Sequence, residues 1–135
     1  MTLLVWDAKY CVNIREIDRQ HRKLFDLLND LYEAMQEGLG KDLIGEALGN
    51  LVDYTAYHFI WEEKLFRQHG YAEEAAHRAG HARLTTQLNA MKQKFDDGQT
   101  NVTMDMLRYL RDWLNDHVTG EDRKYAPFLI GKGVS

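Results

Sequence analysis

Five histidines and two carboxylates are the residues of this chain whose types and spacing could do chemistry. They are His21, His58, His77, His81 and His117, with Glu62 and Asp122. His58 and Glu62 are four residues apart, so on a helix they lie on one face, one turn apart. The same face contains Leu51 and Leu65, which makes it an apolar, buried stripe. A buried carboxylate without a partner is costly, so the pattern predicts a compensating cation.

The elements that must position these residues are helices. Apolar residues recur every three or four positions along four stretches, the period of a helix-bundle interior. The predicted helices run from Asp18, as N-cap, to a stop at Gly38; from about Lys41 to about Gln68; from near Glu73 to Asp96; and from after Asn101 to Gly120. Pro127 is expected to limit any helical continuation beyond Tyr125. The connections are short, which predicts an all-α, antiparallel up-down-up-down four-helix bundle. Residues 1–17 show no sustained period and are predicted to form an irregular N-terminal arm packed along the bundle.

The candidate residues lie near the starts of the first and third predicted helices and near the ends of the second and fourth. In an antiparallel bundle, these starts and ends lie at the same end of the molecule. The sequence therefore predicts that the histidines and Glu62 converge in one layer of the interior. His69, in a predicted turn, lies outside this set.

Asp122 belongs to the layer only under a condition. It follows His117 by five residues, and on a regular helix this spacing rotates it by about 140° away from the cluster. Gly120 lies between them and could permit a loose or π-like turn that swings Asp122 inward.

The cluster has a structural and a chemical interpretation. A single inward histidine is usually a hydrogen-bonded core residue, and the pair His77 and His81 alone would not decide between the two. Five such histidines with Glu62 in one layer have no apolar-core explanation. Imidazole and carboxylate together suit iron, manganese or zinc. Seven ligands are too many for one ion, above all for four-coordinate zinc.

Two octahedral ions fit the ligand number better. Five histidines, two bridging carboxylates and a solvent-derived bridge fill all but one of about twelve coordination positions. The open position suits one small molecule. Oxygen-activating di-iron bundles carry Glu-x-x-His pairs, and no such pair falls on an inward stripe here. A shell of neutral imidazoles instead favours the ferrous state and milder, reversible chemistry. The His-Glu-x-x-His motif of zinc proteases is also absent.

The motifs resemble those of the hemerythrins, specifically the bacterial hemerythrins, over nearly the whole chain. They are Asp18-x-Gln20-His21-x-x-Leu24, His58-Phe59-x-x-Glu62-Glu63, His77-x-x-x-His81 and Trp113-Leu114-x-x-His117-x-x-x-x-Asp122-x-x-Tyr125. Trp6 in the arm also matches. The resemblance includes the five-residue spacing to Asp122. It implies a non-haem centre of two iron ions, cycling between Fe2+ and Fe3+ with an oxo or hydroxo bridge, that binds O2 reversibly.

The resemblance also implies a role for each site residue. One iron would be held by His77, His81 and His117. The iron with the open position would be held by His21 and His58. The two carboxylates, Glu62 and Asp122, would bridge the irons. Phe59, Trp113 and Leu114 would form an apolar pocket around O2, which slows oxidation of the irons. Plain core packing is the alternative for these three, and both interpretations can hold together.

The length, composition, net charge and cysteine count of the chain indicate its domain organisation and its location. With 135 residues, 44% hydrophobic, residues 1–135 are expected to form a single hemerythrin-like domain. The net charge of -4 offers no footprint for nucleic acid or an anionic membrane. No stretch approaches a signal peptide or a transmembrane span, which predicts no membrane insertion. The single cysteine, Cys11, fits a reducing compartment, so the predicted location is the cytoplasm.

Three functions are compatible with this reasoning. The first is O2 storage or delivery by a monomer, with an oxygen-consuming enzyme as a candidate recipient. The second is an O2 or redox sensor that acts through a partner. The third is a di-iron enzyme that consumes peroxide or nitric oxide. Because no catalytic acid or base is obvious beyond the ligands, and Glu63 could simply be solvated, the carrier is favoured and no enzymatic activity is predicted.

Overall fold

Four helical stretches form the bundle in the computed structural model, which describes residues 3–98 and 102–135. They are α1 (Arg15–Gln36), α2 (Lys41–His69), α3 (Glu74–Asp96) and a composite fourth stretch of α4 (Met104–Asp116), a π-helix (His117–Glu121) and α5 (Asp122–Gly131). No strand occurs within the described ranges, and α1 packs against α2 and α4 while α2 packs against α3. The predicted all-α, up-down-up-down bundle is confirmed. None of these helices combines the length and hydropathy needed to cross a membrane, over the part of the chain described.

Most helix ends lie where the local chemistry predicts them. Gly70 adopts a left-handed conformation with φ 70°, which ends α2 one residue after the predicted position. Thr103 caps α4, because its side chain accepts a hydrogen bond from the Met106 backbone N–H at 3.3 Å. Asn101, after which this helix was expected to start, lies outside the described residues.

The predicted start of α1 was wrong. The helix begins at Arg15, so Asp18 lies inside its first turn instead of capping it. The Asp18 carboxylate accepts a hydrogen bond from the Val12 backbone N–H at 2.8 Å. Ile14 and Ile17 are both buried and carry the apolar stripe back beyond Asp18. The residue that looked like a cap therefore connects the arm to the helix.

Pro127 also behaves differently from the prediction. The chain remains helical through it, and α5 continues to Gly131. A proline removes one hydrogen bond, here to the carbonyl of Arg123. Both residues are exposed, so water can bind the freed carbonyl.

The N-terminal arm packs along the bundle, as expected, and contains one short 3-10 helix, Ala8–Tyr10. The rings of Trp6 and Tyr10 contact the Phe25 ring edge-on, with centroids 5.1 Å and 4.7 Å away. The Tyr10 hydroxyl donates to Asn115 Oδ1 at 2.8 Å. The arm thus connects α1 with α4.

Two apolar clusters fill the interior. The larger, here the main core, contains the leucines of all four helices together with Phe25, Phe59 and Phe95. The smaller, here the end cluster, comprises Val12, Ile14, Ile17, Phe66, Tyr71, Tyr125, Ala126 and Leu129. The predicted polar layer lies between them and contacts both, through Phe59 of the main core and Phe66 of the end cluster.

Candidate metal centre

All seven predicted site residues meet in this polar layer. Each is buried, with 0–7% of its surface exposed. His21 comes from the first turns of α1, and His77 and His81 from the first turns of α3. His58 and Glu62 come from the second half of α2. The geometry therefore agrees with the expectation that starts of odd helices and ends of even helices meet.

Asp122 reaches the layer through the π-helix His117–Glu121. The wider turn adds a residue per turn and changes the direction of whatever follows it. As a result Asp122 is fully buried, and its Oδ1 lies 2.9 Å from His117 Nε2. The π-like turn that Asp122 required is confirmed.

The side chains form two groups that share a carboxylate. The three-histidine group consists of His77, His81 and His117 with Glu62. The two-histidine group consists of His21 and His58 with Glu62 and Asp122. Within each group, the candidate ligand atoms all lie within 4.8 Å of one another.

Each carboxylate presents one oxygen to each group. Glu62 places Oε1 3.2 Å from His81 Nε2 and Oε2 3.4 Å from His58 Nε2. Asp122 places Oδ1 2.9 Å from an Nε2 atom of the three-histidine group and Oδ2 2.9 Å from one of the two-histidine group. This is the arrangement that two bridging carboxylates require.

The facing atoms test whether a cation fits. Six of them are buried and lack a hydrogen bond: His21 Nε2, His58 Nε2, His77 Nε2, Glu62 Oε1, Asp122 Oδ1 and Asp122 Oδ2. The Nε2 atoms of His81 and His117 face each other at 3.3 Å. Buried polar atoms are normally satisfied, so a convergent set without donors is matched by cations. Imidazole nitrogen and carboxylate oxygen suit iron, and the residues fit two such ions.

The charges within the layer support each other. Although burial favours the neutral carboxyl, the neighbouring imidazoles of His58, His21 and His77 hold the pKa of Glu62 well below its usual range. Burial likewise opposes ionisation of Asp122, yet the adjacent imidazoles keep its pKa well below the usual value. Burial opposes protonation of His21 and His77, but the two carboxylates raise the pKa of His21 to about 9 and of His77 to about 10. The carboxylates and the imidazoles of the layer therefore favour each other's charged forms.

Two further side chains hold the outer nitrogens of the histidines. His58 Nδ1 lies 2.7 Å from Gln20 Oε1, and His81 Nδ1 lies 2.9 Å from Glu63 Oε2. Both oxygens are acceptors, which places the ring proton on Nδ1 and leaves Nε2 free as a ligand atom. Glu63, for which solvation was left open as an interpretation, has a side chain only 18% exposed that contacts His81. Gln20 precedes the buried Leu24 by one helical turn, a signal that could have placed it on the inward stripe.

Tyr125 was quoted in the sequence motif without a role. Its hydroxyl is fully buried and donates to Glu62 Oε2 at 2.5 Å. Burial, together with the nearby carboxylates of Asp122 and Glu62, raises the pKa of Tyr125 well above its usual value. The phenol is thus a permanent hydrogen-bond donor to one oxygen of the shared carboxylate.

A small cavity of about 30 Å³ adjoins the two-histidine group. His21, His58 and His117 line one side of it. Apart from Thr55, apolar side chains line the rest, among them Phe59, Trp113, Leu114 and Leu24. The three predicted pocket residues therefore all line one cavity. A site of this size holds about one or two water-sized molecules, so it suits a diatomic ligand.

Two of these residues also support histidines of the other group. The Phe59 ring stacks on His81 with centroids 3.7 Å apart and an angle of 4° between planes. Trp113 stacks on His117 with centroids 4.4 Å apart and an angle of 15°. The pocket wall and the orientation of two candidate ligands thus depend on the same aromatic rings.

Comparisons with known proteins agree with the geometry. The model of a family described as the hemerythrin HHE cation binding domain matches residues 12–129. Bacteriohemerythrin of Methylococcus capsulatus is 36% identical over 130 residues, which cover 96% of this chain and 98% of that protein. A hemerythrin-like protein of Naegleria gruberi is 29% identical, covering 92% of each chain. The crystal structure of a wild-type hemerythrin superposes with a TM-score of 0.89 at 36% identity, covering 93% of this chain and 96% of the other.

Proposed function

The chain belongs to the hemerythrin family, and from that premise we propose that it binds O2 reversibly at a di-iron centre and serves in oxygen storage or delivery. Two iron ions, when bound, supply the electrons and the open coordination position that O2 uptake needs. The residues of the layer supply ligands, orientation and exclusion of water.

We assign His77, His81 and His117 to one iron, and His21 and His58 to the iron with the open position. Glu62 and Asp122 would be shared by both irons. The assignment is supported by the two groups of facing atoms and by the division of each carboxylate between them.

The observation that carries the proposal is the position of the cavity. It touches both histidines of the group that has fewer histidines, and His117 of the other group, so its space adjoins the expected open position. Its other walls are apolar apart from Thr55, whose hydroxyl donates to the Leu51 carbonyl, and such walls admit a small neutral molecule and disfavour water. Phe59, Trp113 and Leu114 would exclude water from the bound ligand, and this slows the irreversible oxidation of a reduced metal centre.

The same cavity favours a carrier over the alternatives. At about 30 Å³ it has room for one diatomic ligand, the size of one or two water molecules, and a larger second substrate would not fit beside it. We therefore propose no enzymatic activity, although a sensor or a peroxide- or nitric-oxide-consuming enzyme is the alternative. We further propose that the protein is a monomer in the cytoplasm and delivers O2 to an oxygen-consuming enzyme. The free cysteine Cys11 is compatible with that compartment.

Repeated oxygenation tests this function. The iron-loaded protein is reduced without air, exposed to O2 and then returned to inert gas while the visible absorption is followed. A carrier gains and loses its oxygenated band over successive cycles. Complete oxidation in the first cycle, or an iron content near one ion per chain, would contradict the proposal. Turnover of added peroxide or nitric oxide would favour the enzyme.

A further inference from the structure

The hydrogen bonds around the two histidine groups differ in charge. In the three-histidine group, His81 Nδ1 faces the carboxylate of Glu63 at 2.9 Å. In the two-histidine group, His58 Nδ1 faces the neutral amide of Gln20 at 2.7 Å. An imidazole that donates to a carboxylate is a more basic ligand than one that donates to an amide, because the negative charge stabilises the positive charge shared with the metal.

The shared carboxylate is biased in the same direction. Tyr125 donates to Oε2 of Glu62, the oxygen that faces His58 and His21 at 3.4 Å and 3.6 Å. Oε1, which faces the three-histidine group, has no hydrogen-bond donor. A charge-assisted hydrogen bond withdraws electron density from the oxygen that accepts it. Glu62 therefore offers its stronger donor atom to the three-histidine group.

From these contacts we propose that Glu63, Gln20 and Tyr125 are positioning residues that give the two halves of the centre unequal metal affinities. The three-histidine half binds the first ion tightly, and the two-histidine half binds the second ion more weakly. Metal loading is then ordered, and loss begins at the ion beside the cavity. The inference rests on the ligand assignment proposed above.

Titration of the metal-free protein with Co²⁺ tests the inference. Co²⁺ accepts nitrogen and oxygen ligands and reports its coordination through visible absorption. Calorimetry on the same samples gives the two affinities. The wild-type chain should bind two equivalents in two resolved steps.

Glu63→Gln is the main variant, because it retains the shape and an acceptor oxygen but removes the charge. The first step should weaken about tenfold, the lower end of the effect of outer hydrogen-bond partners on metal affinity. The affinity of the second step should change little, so the difference between the two affinities becomes smaller. Equal weakening of both steps, or no change, would overturn the role of Glu63.

Tyr125→Phe removes only the hydroxyl and tests the difference between the two affinities through the weaker, second step. Glu62 Oε2 becomes a stronger donor, so the second step should tighten several-fold while the first stays constant. A weaker second step would show that Tyr125 holds Glu62 in place without biasing it, and would overturn that part of the proposal.

Two further variants make the result specific. Gln20→Glu places a carboxylate on His58 and should tighten the second step, the reverse of Glu63→Gln at the other half. Glu46→Gln, an exposed change elsewhere on α2, should alter neither step. Circular dichroism of each metal-free variant checks that it is folded.

Different experimental results would contradict the ligand assignment and the inequality of the two affinities. If the wild-type chain binds fewer than two equivalents, or if His21→Ala and His77→Ala leave both steps intact, the assignment itself is wrong. If the wild-type chain binds two equivalents in a single unresolved step, only the inequality of the halves is overturned.

Discussion

The two apolar clusters on either side of the histidine layer differ in how they meet it. In the end cluster, the Phe66 ring lies edge-on to His77, with centroids 4.9 Å apart, and Tyr125 packs against both. These two rings pack directly against the His77 ring of the three-histidine group. The main core meets the two-histidine group across a cavity of about 30 Å³ lined in part by Leu24 and Leu114.

Composition alone does not explain this difference, since both clusters are built from aliphatic and aromatic side chains. What differs is the shape of the packing, which leaves an internal cavity beside the two-histidine group on the side of the main core. We propose that the end cluster closes its side of the site, while the main core provides both stability and ligand access. Changes in each region should therefore have separable effects.

Phe66→Ala should have the largest effect, because it damages the end cluster and exposes the metal layer together. Replacing a buried phenylalanine by alanine costs about 3–5 kcal/mol of unfolding free energy, and Phe66 is fully buried. Water reaching His77 should also lower metal retention. Urea unfolding and metal analysis of the dialysed protein measure the two effects. Full retention of both metals would contradict the closing role of the end cluster.

Leu31→Ala should affect stability alone. Leu31 is fully buried in the main core and is not among the side chains that line the cavity. We expect a loss of about 2–5 kcal/mol in the free energy of unfolding. The folded variant should still bind two metal equivalents. A loss of metal under conditions where circular dichroism shows native helix content would break the proposed separation between core and site.

Between the two clusters, the metal-free layer should lose stability at alkaline pH. His21 and His77 have pKa values raised to about 9 and about 10 in the folded chain, from an ordinary 6.5. A group whose pKa is raised by folding stabilises the fold fully at pH values below its pKa in the unfolded chain. This stabilisation disappears as the pH rises through its pKa in the folded chain. Denaturant midpoints of the metal-free protein should thus fall between pH 7 and 10. The metal-loaded protein should lack this fall, since ions replace the protons; equal slopes would contradict the account.

Leu114→Ala should have the smallest effect on the fold and a selective effect on the ligand. Enlarging the cavity beside the two-histidine group admits water, so the oxygenated form should oxidise several-fold faster. The first-order decay of its visible band measures this rate. Leu107→Ala, two turns earlier on α4 and away from the cavity lining, is the matched control. Equal rates in the two variants would remove Leu114 from the gating role.

Much of the architecture could be predicted from the sequence because it depends on local periodicity. The spacing of apolar residues gave the four helices, and the antiparallel order gave the common layer. The π-helix was accessible only in part: the spacing allowed a loose or π-like turn at Gly120, and the resemblance to the hemerythrins supported the inward position of Asp122.

The remaining features depend on contacts distant in sequence. Glu63 contacts His81 of the next helix, and Tyr125 contacts Glu62 from 63 positions away, so no local pattern reveals either hydrogen bond. The start of α1 was missed because the Asp18 carboxylate binds the arm instead of a helix end. Pro127 was expected to end the helix. The helix continues through it because the proline lies on the exposed side, where the loss of one backbone hydrogen bond is tolerated.

We propose that one layer across four helices holds two irons through seven side chains. Anomalous diffraction from crystals of the iron-loaded protein, measured at the iron absorption edge, would locate these ions. We expect two peaks, one among His77, His81 and His117 and one beside His21 and His58, with Glu62 and Asp122 contacting both. A single peak, or peaks outside this layer, would contradict it.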